Sequence, residues 1–331
     1  MHTRNNYLDF IKGIAIILVI IGHVVQYSLG VGFFENPLFI FIYSFHMPLF
    51  MGISGYLFYY SEKRSIGYIV KKRFEQLIVP LLIWTFIVYI LILLKKPEAN
   101  LTESLLLYFR LLPREYWFLF ILFISSLLLA FTNVYLKSWY YHLIIILLML
   151  LIPDFSSMQL LKFMYPIFLL GFMYNRHSSF INRYINYVIM ASVFLFIAGL
   201  YYWKTDYFIY TTGSQILYKD GVHIEQIKNN GFRYIVGIAG SVVILYLAKI
   251  IFDKVKLNYS TIEKLGRETL GLYLVHLFLL ELFFHKPLII IDHYFYLQVF
   301  VNAVLLLLVS YLLVRLLDKS VFAKRFLLGK V

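Results

Sequence analysis

Residues 7–26, YLDFIKGIAIILVIIGHVVQ, decide how this chain is read. The run is long and apolar enough to cross about 30 Å of hydrocarbon as a helix, yet it carries Asp9, Lys12, His23 and Gln26. Ionisable groups inside a bilayer are costly and stand as functional candidates by default. Lys12 and His23 are eleven residues apart. At about 100° and about 1.5 Å per residue, that spacing returns to nearly the same helix face roughly 16 Å further along. One groove is therefore expected to hold both, with the lysine near one membrane surface and the imidazole near mid-depth.

Composition supports the membrane reading. The 331 residues are 62% hydrophobic and 14% charged, with a mean hydropathy of +0.80, whereas soluble domains carry about 25% charge. An all-α polytopic membrane protein is expected, as one integral-membrane domain over residues 1–331 with no separate soluble domain. A net charge of +13 would point to nucleic acid in a soluble protein. Here the basic residues cluster beside apolar runs, where they set topology and meet anionic lipid, so the expected partner is the bilayer and not nucleic acid. The absence of cysteine excludes thiolate nucleophiles and Cys-ligated metals. No histidine pair has a spacing such as H-E-x-x-H, and no metal is expected. His2, His142, His177, His223, His285 and His293 read as interfacial or exposed. The first run lacks a signal-peptide cleavage pattern and is too long for an h-region, so it is expected to be retained.

Ten apolar runs follow one another, near residues 8–28, 38–60, 76–94, 116–134, 139–152, 163–174, 185–203, 232–252, 269–284 and 293–316. About ten helices are expected, the fifth, sixth and ninth being short. Arg4, the group Lys63, Arg64, Lys71, Lys72 and Arg73, and the group Lys254, Lys256, Lys264 and Arg267 then fall on one side. The positive-inside rule makes that side, and both termini, cytoplasmic. The longest polar insert, residues 204–231, faces the other way as a loop that either touches a substrate or only connects two spans.

The second run contains FHMPLFMGISGYLF, residues 45–58. His46 lies about as far from the outer end of its helix as His23 does from the outer end of an antiparallel neighbour, so the two imidazoles are expected at a common depth. Pro48 removes a backbone donor, and Gly52, Ser54 and Gly55 permit close helix approach. A distorted helix beside a histidine is one way to build a cavity in a membrane. A packing kink with His46 bonded to a neighbour is the plain alternative.

These residues resemble the acyltransferase family 3 proteins, integral-membrane enzymes that place acetyl and other acyl groups on sugars of surface polysaccharides. Asp9, Lys12, Gly13, Ala15 and His23 match the pattern of the family's first helix, with Lys where Arg is commoner. FHMPLFMGISGYLF resembles the second helix, KKRFEQLIVPLLIW the basic entry to the third, EYWFLFIL the Trp-Phe-Leu helix and LGRETLGLYLVH a late motif ending in histidine. The order and spacing of these pieces run from Leu8 to His276. The resemblance implies an acetyl-CoA-dependent O-acetyltransferase in the inner or plasma membrane, with acyl-CoA as donor and a cell-envelope glycan as acceptor. It assigns His23, Lys12, Asp9 and His46 to catalysis, and Glu115, Trp117, Tyr273 and His276 as further site candidates. One departure concerns the donor. Many members have Arg-x-x-Arg before the third helix, a pair linked to acyl-CoA, whereas here Arg73 is followed by Gln76.

The chemistry suits the residue types. Moving an acyl group from a thioester to a hydroxyl needs a base, a role that imidazole fills near neutrality. His23 can act as that base or as a transient acyl carrier. Lys71, Lys72 and Arg73 offer positive charge to the phosphates of CoA. Each has a plainer reading: Lys12 as a snorkelling anchor, Asp9 as its ion-pair partner, the basic run as a topology signal, His276 as a structural hydrogen bonder, and Glu115 and Trp117 as interfacial residues. From the residues alone, a polysaccharide exporter and a non-enzymatic subunit of a polymer synthase remain rival classes.

Overall fold

Hydropathy alone places the helices well, and their polar ends less well. The computed structural model describes residues 5–95, 101–218, 221–255, 259–283, 287–291 and 293–330; Arg4, Lys256, His2 and His285 lie outside them. The helices are α1 (Asn6–Leu29), α2 (Pro37–Phe58), α3 (Ile66–Arg73), α4 (Val79–Lys95), α5 (Leu101–Leu111), α6 (Trp117–Phe131), α7 (Tyr140–Leu151) and α8 (Met158–Arg176). They continue as α9 (Ser178–Ile181), α10 (Ile185–Tyr201), α11 (Ile209–Thr212), α12 (Ile224–Lys254), α13 (Ser260–Arg267), α14 (Thr269–Phe283), α15 (Phe295–Leu317) and α16 (Val321–Phe326). The only strands among the described residues form a two-stranded antiparallel ribbon pairing Leu217 with Val222 and Tyr218 with Gly221. The chain is an all-α, multi-pass membrane protein.

All ten expected runs are helical, but among the described residues seven helices are long and apolar enough to cross a membrane unaided. The count of about ten is corrected for a reason of length and polarity. At 1.5 Å per residue α7 and α14 reach only about 18 and 22 Å, and α8 is interrupted by Gln159, Lys162 and Asn175. The two largest boundary shifts are at starts. The third span begins at Ile66, because basic α3 runs into α4 through a π-helical stretch, Phe74–Ile78. The eighth begins at Ile224, so residues 224–231, read as loop, are the first turns of α12. Hydropathy misses such turns because charged residues, Lys71, Lys72 and Arg73 in one and Glu225 and Lys228 in the other, interrupt the apolar pattern.

Helix α1 is the central element, packed against α2, α12, α13, α14 and α15. Its start is capped by Asn5, whose side chain accepts from the Leu8 amide, and its end by Gly30 at φ 65°, whose amide donates to the Gln26 carbonyl. Asn36 caps α2 in the same way, with Pro37 at the first helical position, where its missing N–H costs nothing. Close approach then depends on glycine. A Cβ on Gly55 would overlap the Phe168 carbonyl oxygen and one on Gly171 the Gly52 carbonyl oxygen, which locks α2 to α8. Pro48 sits where α12 crosses α2: a Cβ on Gly237 would touch the proline ring, and the Ser241 hydroxyl donates to the Gly237 carbonyl at 2.7 Å. The proline is therefore packed against α12, and His46, two residues before it, is buried.

Candidate active site

Three imidazoles from three helices meet around the second half of α1. His23 stands on α1, His46 on α2 and His276 on α14. The His23 and His276 ring centroids are 5.5 Å apart. Tyr43 of α2 links the other pair, with its ring 4.5 Å from His46 and 6.1 Å from His23. His46 and His276 are 3% and 0% exposed, whereas His23 keeps part of its surface accessible.

Each ring is held differently. His46 Nδ1 lies 2.9 Å from the Ile42 carbonyl and His276 Nδ1 lies 2.7 Å from the Leu272 carbonyl. A carbonyl only accepts, so both nitrogens carry hydrogen and both Nε2 atoms present lone pairs. The Nε2 of His276 is buried without a hydrogen-bond partner in the protein. A buried unsatisfied acceptor costs about 1–3 kcal/mol, so this lone pair is open to a proton, a water or a ligand atom. Nδ1 of His23 instead faces side chains, Gln26 Oε1 at 3.3 Å and the Tyr43 hydroxyl at 3.3 Å.

The other sequence candidates are distributed around this cluster. Tyr273 precedes His276 by one turn, 5.9 Å away between ring centroids, and packs on Tyr116 and Phe118. Glu115 and Trp117 sit half-buried at the start of α6. Burial raises the Glu115 carboxyl above its ordinary range, and the neighbouring charge of Glu281 adds to the rise. Asp9 is buried and pairs with Lys12 at 2.9 Å, with Arg267 at 3.7 Å on its other oxygen. Lys12 is thus tied to the basic end of α1, where α13 lies against it.

The basic run is divided between two clefts. Lys72, Arg73 and Gln76 line one of about 220 Å³ with Leu57, Ser61 and Tyr68. There Arg73 is poised over the Phe58 ring and Lys72 over the Tyr68 ring, each at 5.6 Å, within cation–π range. Lys71 lines the second cleft, about 590 Å³, together with Glu75, Phe74 and Arg325. Glu75 and Arg325 pair there at 3.4 Å.

At the opposite end of the bundle, the insert after α10 is a built structure. Arg233, 3% exposed, donates to the carbonyls of Asp206 (2.9 Å), Tyr207 (2.8 Å), Phe208 (3.2 Å) and Gly213, to the Thr212 hydroxyl and to Asn230. Asp154 accepts from the amides of Ser214 (2.6 Å) and Gln215 (2.8 Å) and from Lys162 (2.8 Å). Burial alone would raise its pKa; Lys162 and the Ser214 amide outweigh that and hold the carboxyl below its ordinary value. The loop roofs a space of about 30 Å³, room for about one water, lined by Tyr43, His46, Tyr207, Tyr210 and Arg233.

Sequence reasoning named no role for Tyr43, Gln26, Asp154, Lys162 or Arg233. Arg233 carried an ambiguous signal, since a cation at the edge of an apolar run reads first as a topology marker. Tyr43 carried a fainter one, three residues before His46. One histidine is corrected: His142 is 2% exposed, with Nδ1 3.1 Å from the Tyr165 hydroxyl, because α7 packs that face on α8. His177, His223 and His293 are exposed.

Residues 5–317 match the acyltransferase domain family. The chain is 33% identical over 300 residues to the nodulation protein NolL of Mesorhizobium japonicum, an alignment covering 83% of this chain and 76% of that protein. It is 36% identical over 180 residues to the nodulation protein NolL of Sinorhizobium fredii, covering 52% and 49%. No solved structure matches the chain. An imidazole cluster inside a multi-pass helical bundle and a family match over nearly the whole length agree, and the chain belongs to acyltransferase family 3 as a membrane acyltransferase.

Proposed function

We propose that this acyltransferase moves an acetyl, or another short acyl, group from acyl-CoA to a hydroxyl of a cell-envelope or surface-polysaccharide sugar. It works in the inner or plasma membrane with both termini cytoplasmic. The observation that carries the proposal is the partly accessible His23 beside two buried imidazoles, on the helix that packs against α2, α12, α13, α14 and α15.

In this reading His23 accepts the hydroxyl proton as the sugar oxygen bonds to the thioester carbonyl carbon. The C–S bond then breaks and the departing thiolate takes up the proton. A transient acyl on His23, with the sugar attacking second, balances equally well. The bare Nε2 of His276 and of His46 are placed to steer or share that proton. Acetyl-CoA is the donor substrate, and no metal is required. Its phosphates are met by Lys72 and Arg73 on one face and by Lys71 on the next. Asp9 supports this end by holding Lys12 and Arg267.

Membranes carrying the protein are incubated with radiolabelled acetyl-CoA, and label in the envelope glycan is measured by mass spectrometry and counting. His23→Ala is expected to insert normally and to transfer less than about 1% of the wild-type label, since general-base catalysis contributes about 10²–10⁴-fold. Full labelling by that variant removes His23 from the chemistry. No labelling by the unmodified protein removes acetyl-CoA as donor.

A further inference from the structure

The three imidazoles of the site differ at one atom. In His46 and His276 the helix itself fixes the tautomer, because Nδ1 donates to the carbonyl four residues back. In His23 that task falls to two side chains, Gln26 on the next turn of α1 and Tyr43 on α2. Gln26 Oε1 stands 3.3 Å from Nδ1, the Tyr43 oxygen also stands 3.3 Å from Nδ1, and the Tyr43 hydroxyl donates to Gln26 Oε1 at 3.4 Å. The three polar groups close a small triangle.

The hydroxyl hydrogen decides which nitrogen of His23 is basic. When Tyr43 donates to Gln26, Nδ1–H is shared between Gln26 Oε1 and the Tyr43 oxygen, which both accept, and Nε2 carries the lone pair. When Tyr43 turns to donate to Nδ1, that nitrogen must be bare, and the hydrogen of the neutral ring sits on Nε2. Only the first arrangement leaves Nε2 able to accept a proton or attack a carbonyl. Gln26 Oε1 favours it by accepting from both partners at once.

We infer that Gln26 and Tyr43 are positioning residues that hold His23 as the Nδ1–H tautomer, so that Nε2 is the reacting nitrogen of the transfer. The inference rests on the acyl-transfer reading of His23. When Nε2 takes the hydroxyl proton, the ring becomes an imidazolium whose Nδ1–H still donates to Gln26, and the proton then passes to the departing thiolate. Gln26 and Tyr43 neither gain nor lose a hydrogen overall. Their effect is on the fraction of His23 that is competent, and hence on kcat.

Packing supplies a clean test. The Tyr43 ring stacks on Phe39 with centroids 3.8 Å apart at 22°, and Gly22 leaves it room, since a Cβ there would touch the ring. Tyr43→Phe keeps those contacts and removes only the hydroxyl. Gln26→Met keeps the volume and removes the acceptor, whereas Gln26→Glu restores an acceptor in the same place. The assay is the same transfer of label from acetyl-CoA to host-membrane glycan, with His23→Ala alongside.

Gln26→Met and Tyr43→Phe are each expected to lower apparent kcat about tenfold, about 1.4 kcal/mol of barrier, with the KM for acetyl-CoA changed less than twofold. Gln26→Glu is expected to stay within threefold of wild type. If His23→Ala is inactive while Gln26→Met and Tyr43→Phe both transfer at wild-type rates, the positioning role is wrong and the acyl-transfer reading stands. Equal losses in Gln26→Met and Gln26→Glu also overturn it, because a packing or space-filling role then suffices. Full activity of His23→Ala overturns the reading beneath it.

Discussion

Replacing Arg233 by methionine should open the loop that roofs the His46 cavity while leaving the bundle folded. The guanidinium holds that loop by donating to four of its carbonyls and to the Thr212 hydroxyl. Methionine fills a similar length and donates nothing. A hydrogen bond from a charged group contributes about 1.5–3 kcal/mol, but the loop borders water and its freed carbonyls can rehydrate. A net loss of about 3–4 kcal/mol is therefore expected, below the sum of the separate bonds. The remaining polar ties are the Asp154 contacts, Gln226, which donates to the Thr212 carbonyl at 2.7 Å, and Asn230, which donates to the Ser214 carbonyl at 2.9 Å. The amides of Thr211 and Gly213 are bonded within the loop, to Phe208 and Ile209. They should exchange with solvent deuterium roughly 10²–10³-fold faster, taking about 1.4 kcal/mol per tenfold. Hydrogen exchange read by mass spectrometry on protein in lipid nanodiscs measures this, with peptides from α1 as the internal standard. A change of less than threefold at residues 205–215, with α1 unaffected, would refute the idea that the guanidinium clamps the loop.

Two further outcomes follow from separate features. Because Lys72 and Arg73 line a different cleft from Lys71, the double reversal Lys72→Glu with Arg73→Glu should weaken acetyl-CoA binding at least tenfold, and Lys71→Glu, a single charge on the next face, by a smaller factor of about three. Isothermal titration on correctly inserted protein checks this, and equal effects would merge the clefts. The Asp154 carboxyl is held below its ordinary pKa of about 3.9. Its contribution is present above that value and lost as pH falls through the lower folded pKa. Melting temperature should thus be level from pH 7 to about pH 4 and decline below, and Asp154→Asn should remove the extra decline; an unchanged acid limb in that variant would discard the assignment.

Much of the bundle was legible because a lipid solvent leaves few options: an apolar run long enough to span must be helical. The misplaced starts at Ile66 and Ile224 share one cause. Each opens with a charge-bearing stretch, IGYIVKKR in one and IEQIKNNG in the other, that has little net hydropathy although it is helical by hydrogen bonding. The meeting of His23 with Tyr43 was nearly readable, since antiparallel neighbours joined by a short turn set each other's depth. His276 beside His23 was not, because those residues are 253 positions apart and no local pattern states which helices touch. Arg233 was hidden by a different habit: a lone cation next to an apolar run reads as a topology marker, and only its acceptors, scattered over residues 206–213, reveal a clamp. The division of the basic run was also invisible, because adjacent letters in a sequence do not say that a helix turns them toward opposite sides.

The π-helical stretch at Phe74–Ile78 has a bearing on how this enzyme tolerates length changes. A π turn accommodates one more residue than an α turn, so shortening the segment by a single amino acid would let it relax into ordinary helix. The residues before it would keep their facing, because the extra residue is taken up inside the turn itself. A deletion in the ordinary helix just after it, in α4, has no such slack and would rotate everything before it by about 100°, carrying Lys72 and Arg73 away from the Leu57 and Ser61 wall of their cleft. The junction thus tolerates a change of one residue in length at this stretch and not beyond it.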